Sequence, residues 1–141
     1  MARIDVSGFD EVERDLLKES EAAKEKAAKM LQAGARVVVQ AQKDEIQAMT
    51  SGQGSLAKSI KETAVKSSDT GSYIEVRPTG SQPHGNPKKG QTGNVKNAQV
   101  GGMLEYGVAG KMSARPWMTT ANEKSKDKVH EEMRKIWESG G

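Results

Sequence analysis

Few residues in this sequence have the side-chain chemistry of catalysis or metal binding, and they are scattered. The chain has no cysteine and two histidines, His84 and His130. His130 precedes Glu131 and Glu132, a grouping that a metal ion accepts but that is far more typical of a solvated helix face. The sequence contains no nucleophile–base set, phosphate-binding glycine loop or dinucleotide fingerprint. We therefore predict that the protein is not an enzyme and has no cofactor.

A second chemically distinctive group is basic. Residues 78–102 hold three of the four prolines and six of the fifteen glycines, which predicts a long flexible loop. From position 77 to position 99 there is no acidic residue, and the basic residues are Arg77, Lys88, Lys89 and Lys96. Such a charge run is either a solvated loop or an arm that contacts nucleic acid or an acidic partner surface.

Composition predicts a single domain, residues 1–141, with a thin core. Hydrophobic residues make up 34% of the chain, only five residues are aromatic, and the net charge is +3. A chain with so few apolar residues is expected to bury additional apolar surface against partner proteins. No apolar run is long enough to span a membrane and no signal-peptide core is present, so we expect no membrane partner and assembly in a cytoplasm.

Hydrophobic spacing predicts the first elements. Ile4 and Val6 alternate with polar residues as in a short strand, and a helical pattern then runs from Phe9 to about Thr50. Such a helix is about 60 Å long, so it either bends, with Gly34 as the hinge, or projects from the body. The alternative is a helix folded back on its own sheet.

The remaining elements indicate an α+β fold. Residues 55–60 form one helical turn, and Lys61–Lys66 and Ser72–Arg77 form an antiparallel hairpin. Pro116 fits the first position of a final helix, whose apolar stripe runs to Trp137. The prediction is a long N-terminal helix, a small antiparallel sheet with the long basic loop, and a C-terminal helix packed on the sheet.

One stretch resembles a known family. Glu105-Tyr106-Gly107, followed by Ala114-Arg115-Pro116-Trp117, is similar to the E-[YF]-G-T-x-x-M-x-A-R-P-F-[LM] signature of the phage head–tail connection family typified by gene product ten of the lambdoid phage HK-97. Upstream, the segment from Gly54 to Ile60 resembles the TGxLxxSI segment of that family. Gln53, Val108 and Ser113 depart from the pattern, and one or two residues are inserted around Ala109.

The resemblance implies a structural virion protein that forms a ring, six- or twelve-fold, at the head–tail junction or the head-proximal end of a phage or phage-like tail. Neck, collar, tail-completion and tail-terminator roles all fit this implication. Its partners would be further copies, neighbouring connector, stopper or tail-tube proteins, and DNA in the channel through non-specific contact. The implied motif residues are Leu56, Ile60, Glu105, Tyr106, Gly107, Ala114, Arg115, Pro116 and Trp117.

Physical reasons support the motif as a structural clasp. Gly107 is expected to adopt a positive φ, and Trp117 is expected to anchor the last helix on the sheet. Arg115 is placed either to pair with Glu105 or to cap exposed carbonyls.

A second hypothesis for the function is a cytoplasmic protein that binds nucleic acid non-specifically through the basic loop.

Overall fold

The computed structural model describes residues 2–5, 21–49, 54–68, 71–83, 90 and 93–139. Within these ranges the helices are α1 (Glu21–Met49), α2 (Gly54–Ser59), α3 (Asn97–Tyr106) and α4 (Trp117–Glu138). The strands are β1 (Ala2–Asp5), β2 (Ile60–Glu62), β3 (Lys66–Ser68), β4 (Gly71–Pro78), β5 (Ser81–Pro83) and β6 (Asn94–Lys96).

The long helix α1 lies against the rest of the fold. Its 29 residues extend about 44 Å, and it packs against α4, α2 and the sheet. The buried positions recur every three or four residues, as expected for one helix face, and include Ala27, Met30, Leu31, Ala35, Val38, Gln42 and Ile46. The described part of the helix is therefore folded back on its own sheet, and its predicted start near Phe9 lies outside the described residues.

Gly34 serves close packing between helices. α1 is helical through this position without interruption. A Cβ placed on Gly34 would lie 3.2 Å from Val129 Cγ1 and 3.3 Å from Met133 Sδ, both on α4. The absence of a side chain thus allows α1 and α4 to approach each other along their longest contact.

The main sheet is organised around β4. β1 pairs antiparallel with one edge of β4, with Ala2 opposite Val76, and β2 and β3 pair antiparallel with the other edge. Ile74, Val76 and Pro78 alternate on the buried face, against α1 and its neighbours. This strand therefore shows the period-two burial expected when one face of a sheet is covered.

The predicted hairpin is confirmed, and its first strand contains a bulge. Glu62 pairs with Val76 and Lys66 pairs with Tyr73, which leaves one extra residue in the first strand between them. Thr63 occupies this irregular stretch: its N–H donates to the Glu75 carbonyl at 2.8 Å, and its hydroxyl accepts from the Glu75 N–H at 3.1 Å. The Thr63 hydroxyl thus substitutes for a missing ladder acceptor.

Residues 78–102, expected as one long loop, contain regular structure at both ends. Pro83 pairs with Asn94 and Ser81 with Lys96 in a short antiparallel hairpin, and α3 follows directly. Three-residue polar strands are too short to show a periodic pattern. Gly101 and Gly102 lower the helix propensity of the segment that forms α3, so the sequence does not predict this helix. The predicted hairpin turn at positions 69–70 and residues 84–89 lie outside the described residues.

The α+β class is confirmed, with the long helix, the small antiparallel sheet and the C-terminal helix packed on it. Trp117, at the start of α4, converges with Pro78 of β4 and Leu56 of α2 around Gly101. From there α4 lies along α1, and its predicted stripe is buried at Ala121, Ser125, Val129 and Met133.

The burial of Leu31 in α1 predicts how its substitution changes the free energy of unfolding. Leu31 is fully buried and its neighbour Gln32 is exposed. Leu31→Ala is expected to lower the free energy of unfolding by about 2–5 kcal/mol, because a cavity remains in the core. Gln32→Ala, the matched control, is expected to change it by less than about 0.5 kcal/mol. Urea unfolding followed by circular dichroism measures both, and equal midpoints for the two variants would contradict this packing.

Candidate functional site

The motif residues surround the connection between α3 and α4. Gly107 ends α3 with φ +75°, and its N–H donates to the Met103 carbonyl at 2.8 Å. A Cβ at Gly107 would lie 2.7 Å from the Ala114 nitrogen and 2.8 Å from the Met112 oxygen. The predicted positive φ is confirmed, and the chain returns so close to Gly107 that a side chain would clash with backbone.

Between Gly107 and Ala114 the chain forms a tight turn. The Val108 N–H donates to the Met112 carbonyl at 2.9 Å, and the Met112 N–H donates back to the Val108 carbonyl at 2.9 Å. Gly110, at the tip, has φ +73° and open space around it. The residues inserted relative to the family pattern thus lie in a hydrogen-bonded, exposed turn.

The turn is connected back to α3 before α4 begins. The Arg115 N–H donates to the Leu104 carbonyl at 2.7 Å, and the Arg115 carbonyl accepts from the Trp117 N–H at 2.7 Å. These backbone bonds satisfy a carbonyl at the end of α3 and hold the start of α4 beside it.

Glu105 caps the N-terminus of α4 from a distance. The first turn of α4 contains no acidic residue, and Pro116 at the N-cap position offers no side-chain cap. The buried Glu105 carboxylate accepts hydrogen bonds from the Met118 N–H at 2.8 Å and the Thr119 N–H at 3.2 Å, and the Thr119 hydroxyl also donates to it. A carboxylate at this position neutralises the positive end of the helix dipole and satisfies free N–H groups.

Glu105 therefore has different partners from those considered for it in the sequence. The Arg115 side chain is exposed, and it has no ion pair in the part of the chain that the structure describes. The pairing of Arg115 with Glu105 is wrong for this structure, because the N–H groups of α4 take both carboxylate oxygens. Arg115 contributes to the connection through its backbone.

Trp117 fixes the relative positions of α3 and α4. Its ring is fully buried, and its Nε1–H donates to the Gly101 carbonyl at 2.9 Å. A Cβ on Gly101 would lie 3.1 Å from Trp117 Cζ2, so the glycine leaves room for the indole. The indole is thus both packed and hydrogen-bonded, as a buried Trp requires.

The motif residues divide between the core and the surface. Leu56, Ile60, Glu105 and Trp117 are buried, whereas Tyr106, Ala114, Arg115 and Pro116 are exposed. Two large hydrophobic side chains stand out on the described surface: Tyr106 is 79% exposed and Met112 is 44% exposed. Both belong to the segment that the hydrogen bonds above hold in place.

A groove of about 560 Å³ lies beside this segment. One wall is the end of β4 and the corner after it, from Arg77 to Gly80, and the other wall is α3. The groove-lining residues are Arg77, Pro78, Thr79, Gly80, Lys96, Ala98, Gly101, Gly102, Glu105, Tyr106 and Met118. The groove therefore joins Arg77 and Lys96 of the basic stretch to Glu105 and Tyr106 of the motif.

Hydrogen bonds fix the two walls of the groove relative to each other. The Ser59 carbonyl accepts from the Thr79 N–H at 2.8 Å and from the Thr79 hydroxyl at 2.7 Å. Asn97 Nδ2 donates to the Thr79 carbonyl at 2.8 Å, and the Asn97 N–H donates to the Gly80 carbonyl at 3.0 Å. These contacts position Lys96 at the groove edge, while Lys88 and Lys89 lie outside the described residues.

Sequence reasoning missed Met112 and the groove wall formed by α3. Met112 lies between the two quoted parts of the motif, and its exposure follows from the turn between Val108 and Met112, whose conformation depends on Gly107 and Gly110. Over the residues that the structure describes, no group of three or more His, Cys, Asp or Glu side chains is arranged to hold a metal ion. The same residues include no helix long and apolar enough to cross a membrane.

The fold and the site together define a small α+β protein whose distinctive residues form a structural clasp and a surface groove. A family model matches residues 10–108, more than two thirds of the chain, and its description is "Bacteriophage HK97-gp10, putative tail-component". The chain belongs to this HK97-gp10-like family, which confirms the resemblance; a tail component is a structural virion class, not an enzyme class. Searches of curated proteins and of solved structures returned no match.

Gly107 and Gly110 have similar positive φ values but different surroundings, so the same substitution is expected to have different costs at the two positions. Gly110→Ala is expected to cost about 1–2 kcal/mol, because a Cβ is disfavoured at positive φ. Gly107→Ala is expected to cost about 1–3 kcal/mol more, because its ψ of 177° places it in a backbone region that essentially only glycine adopts and because its Cβ would meet backbone atoms. Chemical unfolding of the two variants side by side measures the difference, and an equal loss would show that the turn does not close on Gly107.

The capping role of Glu105 predicts different effects on stability for two substitutions, one at Glu105 and one at Arg115. Glu105→Ala is expected to lower the free energy of unfolding by about 1–3 kcal/mol, since two helix N–H groups and a hydroxyl lose their acceptor. Arg115→Ala is expected to change it by less than about 0.5 kcal/mol. Thermal and urea unfolding measure both, and a large loss for Arg115→Ala that disappears in the Glu105→Ala background would restore the Arg115–Glu105 pair.

Proposed function

We propose that this tail component forms a ring at the head–tail junction or head-proximal end of a phage or phage-like tail, in a tail-completion, neck, collar or terminator role. Family membership supports the tail assignment. The observation that carries the ring proposal is the exposure of Tyr106 and Met112 on a hydrogen-bonded segment. No observation on the described residues favours the second hypothesis, a nucleic-acid-binding protein that uses the basic loop.

Exposed hydrophobic side chains are common when scattered, but these two share one short segment. Tyr and Met are enriched in protein–protein interfaces, where a pre-ordered side chain loses little entropy on binding. The backbone bonds around Gly107 and Met112 fix the backbone of this segment before any partner binds, so mainly the two side chains lose freedom on binding. The segment thus has the composition and rigidity of a contact surface.

A ring requires that one patch of each copy bind a different patch of the next copy, so that rotation closes the assembly. The low hydrophobic content of the chain, 34%, fits a subunit that buries further surface against neighbours. We propose a six- or twelve-fold ring, with connector, stopper or tail-tube proteins above and below it in the virion. Non-specific contact with DNA in the channel belongs to the same proposal.

Removing both exposed side chains tests the ring. Wild-type protein is expected to form concentration-dependent assemblies, and Tyr106→Ser with Met112→Ser is expected to shift assembly to at least about tenfold higher concentration, since about 1.4 kcal/mol per contact corresponds to tenfold. Size-exclusion chromatography with light scattering and negative-stain imaging measure this. The control is His130→Ser, an exposed change on α4. A strict monomer that binds neither connector nor tail-tube proteins contradicts the proposal.

A further inference from the structure

The two basic side chains of the groove form no ion pair within the described part of the chain. Arg77 and Lys96 line the groove, and neither has an ion pair among the described residues. Lys61 lies directly opposite Arg77 in the antiparallel register, and its side chain is exposed. Like charges placed opposite each other across two strands are destabilising, so a bound anion would reduce the repulsion at this corner.

The nearest carboxylates do not supply that anion. Glu105 lines the groove, but both of its oxygens accept hydrogen bonds from the N-terminal end of α4. Glu75 precedes Arg77 by two residues on the same face of β4, and its register partner on β1 is Arg3. The groove lining holds Arg77 and Lys96 against the single carboxylate of Glu105, so its net charge is positive.

The floor of the groove is apolar and is formed mainly by small residues. Ala98, Gly101 and Gly102 lie at helical spacing on the α3 side, with Met118 beside them. The volume of about 560 Å³ falls in the range of about 300–1,000 Å³ typical of ligand pockets. A cationic rim above an apolar floor suits a chain segment in which carboxylates flank an aliphatic side chain.

This chain itself contains such a segment. Residues 10–15, Asp-Glu-Val-Glu-Arg-Asp, hold four acids, one base and the aliphatic Val12, and they are the densest acidic six residues of the sequence. The last residue of β1, Asp5, lies opposite Tyr73, at the far end of β4 from Arg77. Residues 10–15 follow Asp5 by five to ten positions, a length of at most about 17–33 Å that allows them to reach a groove on their own chain or on a neighbouring copy. The proposed ring favours the neighbouring copy.

We propose that the groove binds residues 10–15 of a second copy of this chain, with Arg77 and Lys96 pairing its carboxylates. The inference rests on the proposed self-association and specifies its contact. A donor segment on one copy and a groove on the next make a head-to-tail interface, which is the kind that closes into a ring. Tyr106, at the edge of the same groove, belongs to this interface.

A peptide titration tests the groove by itself. The probe is a fluorescent peptide of residues 8–17, and the host is the full chain with Asp10→Asn, Glu11→Gln, Glu13→Gln and Asp15→Asn, so that its own acids do not compete. Anisotropy at low salt is expected to show saturable binding, weakened at least about tenfold by Arg77→Glu with Lys96→Glu. The same charge change at the exposed Lys58 and Lys126 is the matched control. Equal loss in the control, or no binding, overturns the proposal.

Mixing variants tests the head-to-tail geometry. The groove variant, Arg77→Glu with Lys96→Glu, and the acid-neutralised variant are each expected to remain monomers. Their equimolar mixture is expected to stop at dimers, because only one functional donor–groove pair is then available. Light scattering measures the masses, and circular dichroism checks that each variant is folded. A mixture that stays monomeric, or a groove variant that still forms rings, overturns the inference.

These outcomes separate the two proposals. A monomeric wild type overturns the ring, and the peptide titration still decides what the groove binds. A peptide that binds only the acid-neutralised host, with wild type monomeric, places the acidic stretch in its own groove and overturns the second-copy assignment. A DNA duplex that displaces the peptide and loses affinity with the same two substitutions makes the groove a phosphate site, which also overturns it.

Discussion

The hydrogen bonds between the Glu105 carboxylate and the first turn of α4 are the constraint on which the site depends. Pro116 begins that helix without a cap of its own, so its free N–H groups need an acceptor from elsewhere in the fold. Glu105, at the end of α3, supplies it across thirteen residues. The segment between the two helices must therefore be a closed loop, and Gly107 and the Val108–Met112 turn close it.

The residues that connect α3 to α4 and the exposed residue Tyr106 lie on opposite faces of α3. Leu104 and Glu105 face inward, while Tyr106, the next residue, is almost fully exposed. Because α3 is held from inside by Trp117 and Glu105, its outer face needs no further packing within the chain. Gly102 lies on this open side of α3, whereas Gly101 faces inward and leaves room for the Trp117 indole. These two roles account for two glycines in a helix that they would otherwise destabilise.

Much of the architecture is readable from the sequence because it rests on local patterns. The period of α4 from Met118 to Trp137, the turn at Leu56 and the alternation of Ile74 and Val76 each arise from which side chains must be buried. The hairpin of β5 and β6 and the helix α3 were not predicted, since polar three-residue strands and a glycine-containing helix have weak local preferences. Contacts with Thr79, Asn97 and Trp117 stabilise them instead.

The sequence by itself determined the fold class, the order of the main elements and the family, because hydrophobic periodicity and short sequence patterns are local properties. Only the tertiary structure decided that Glu105 caps α4 instead of pairing with Arg115, that Gly34 and Gly101 serve close packing, and that Arg77 and Lys96 meet Tyr106 at one groove. Each of these depends on which residues distant in the chain approach within a few ångströms, and such distances are set by the packed core as a whole.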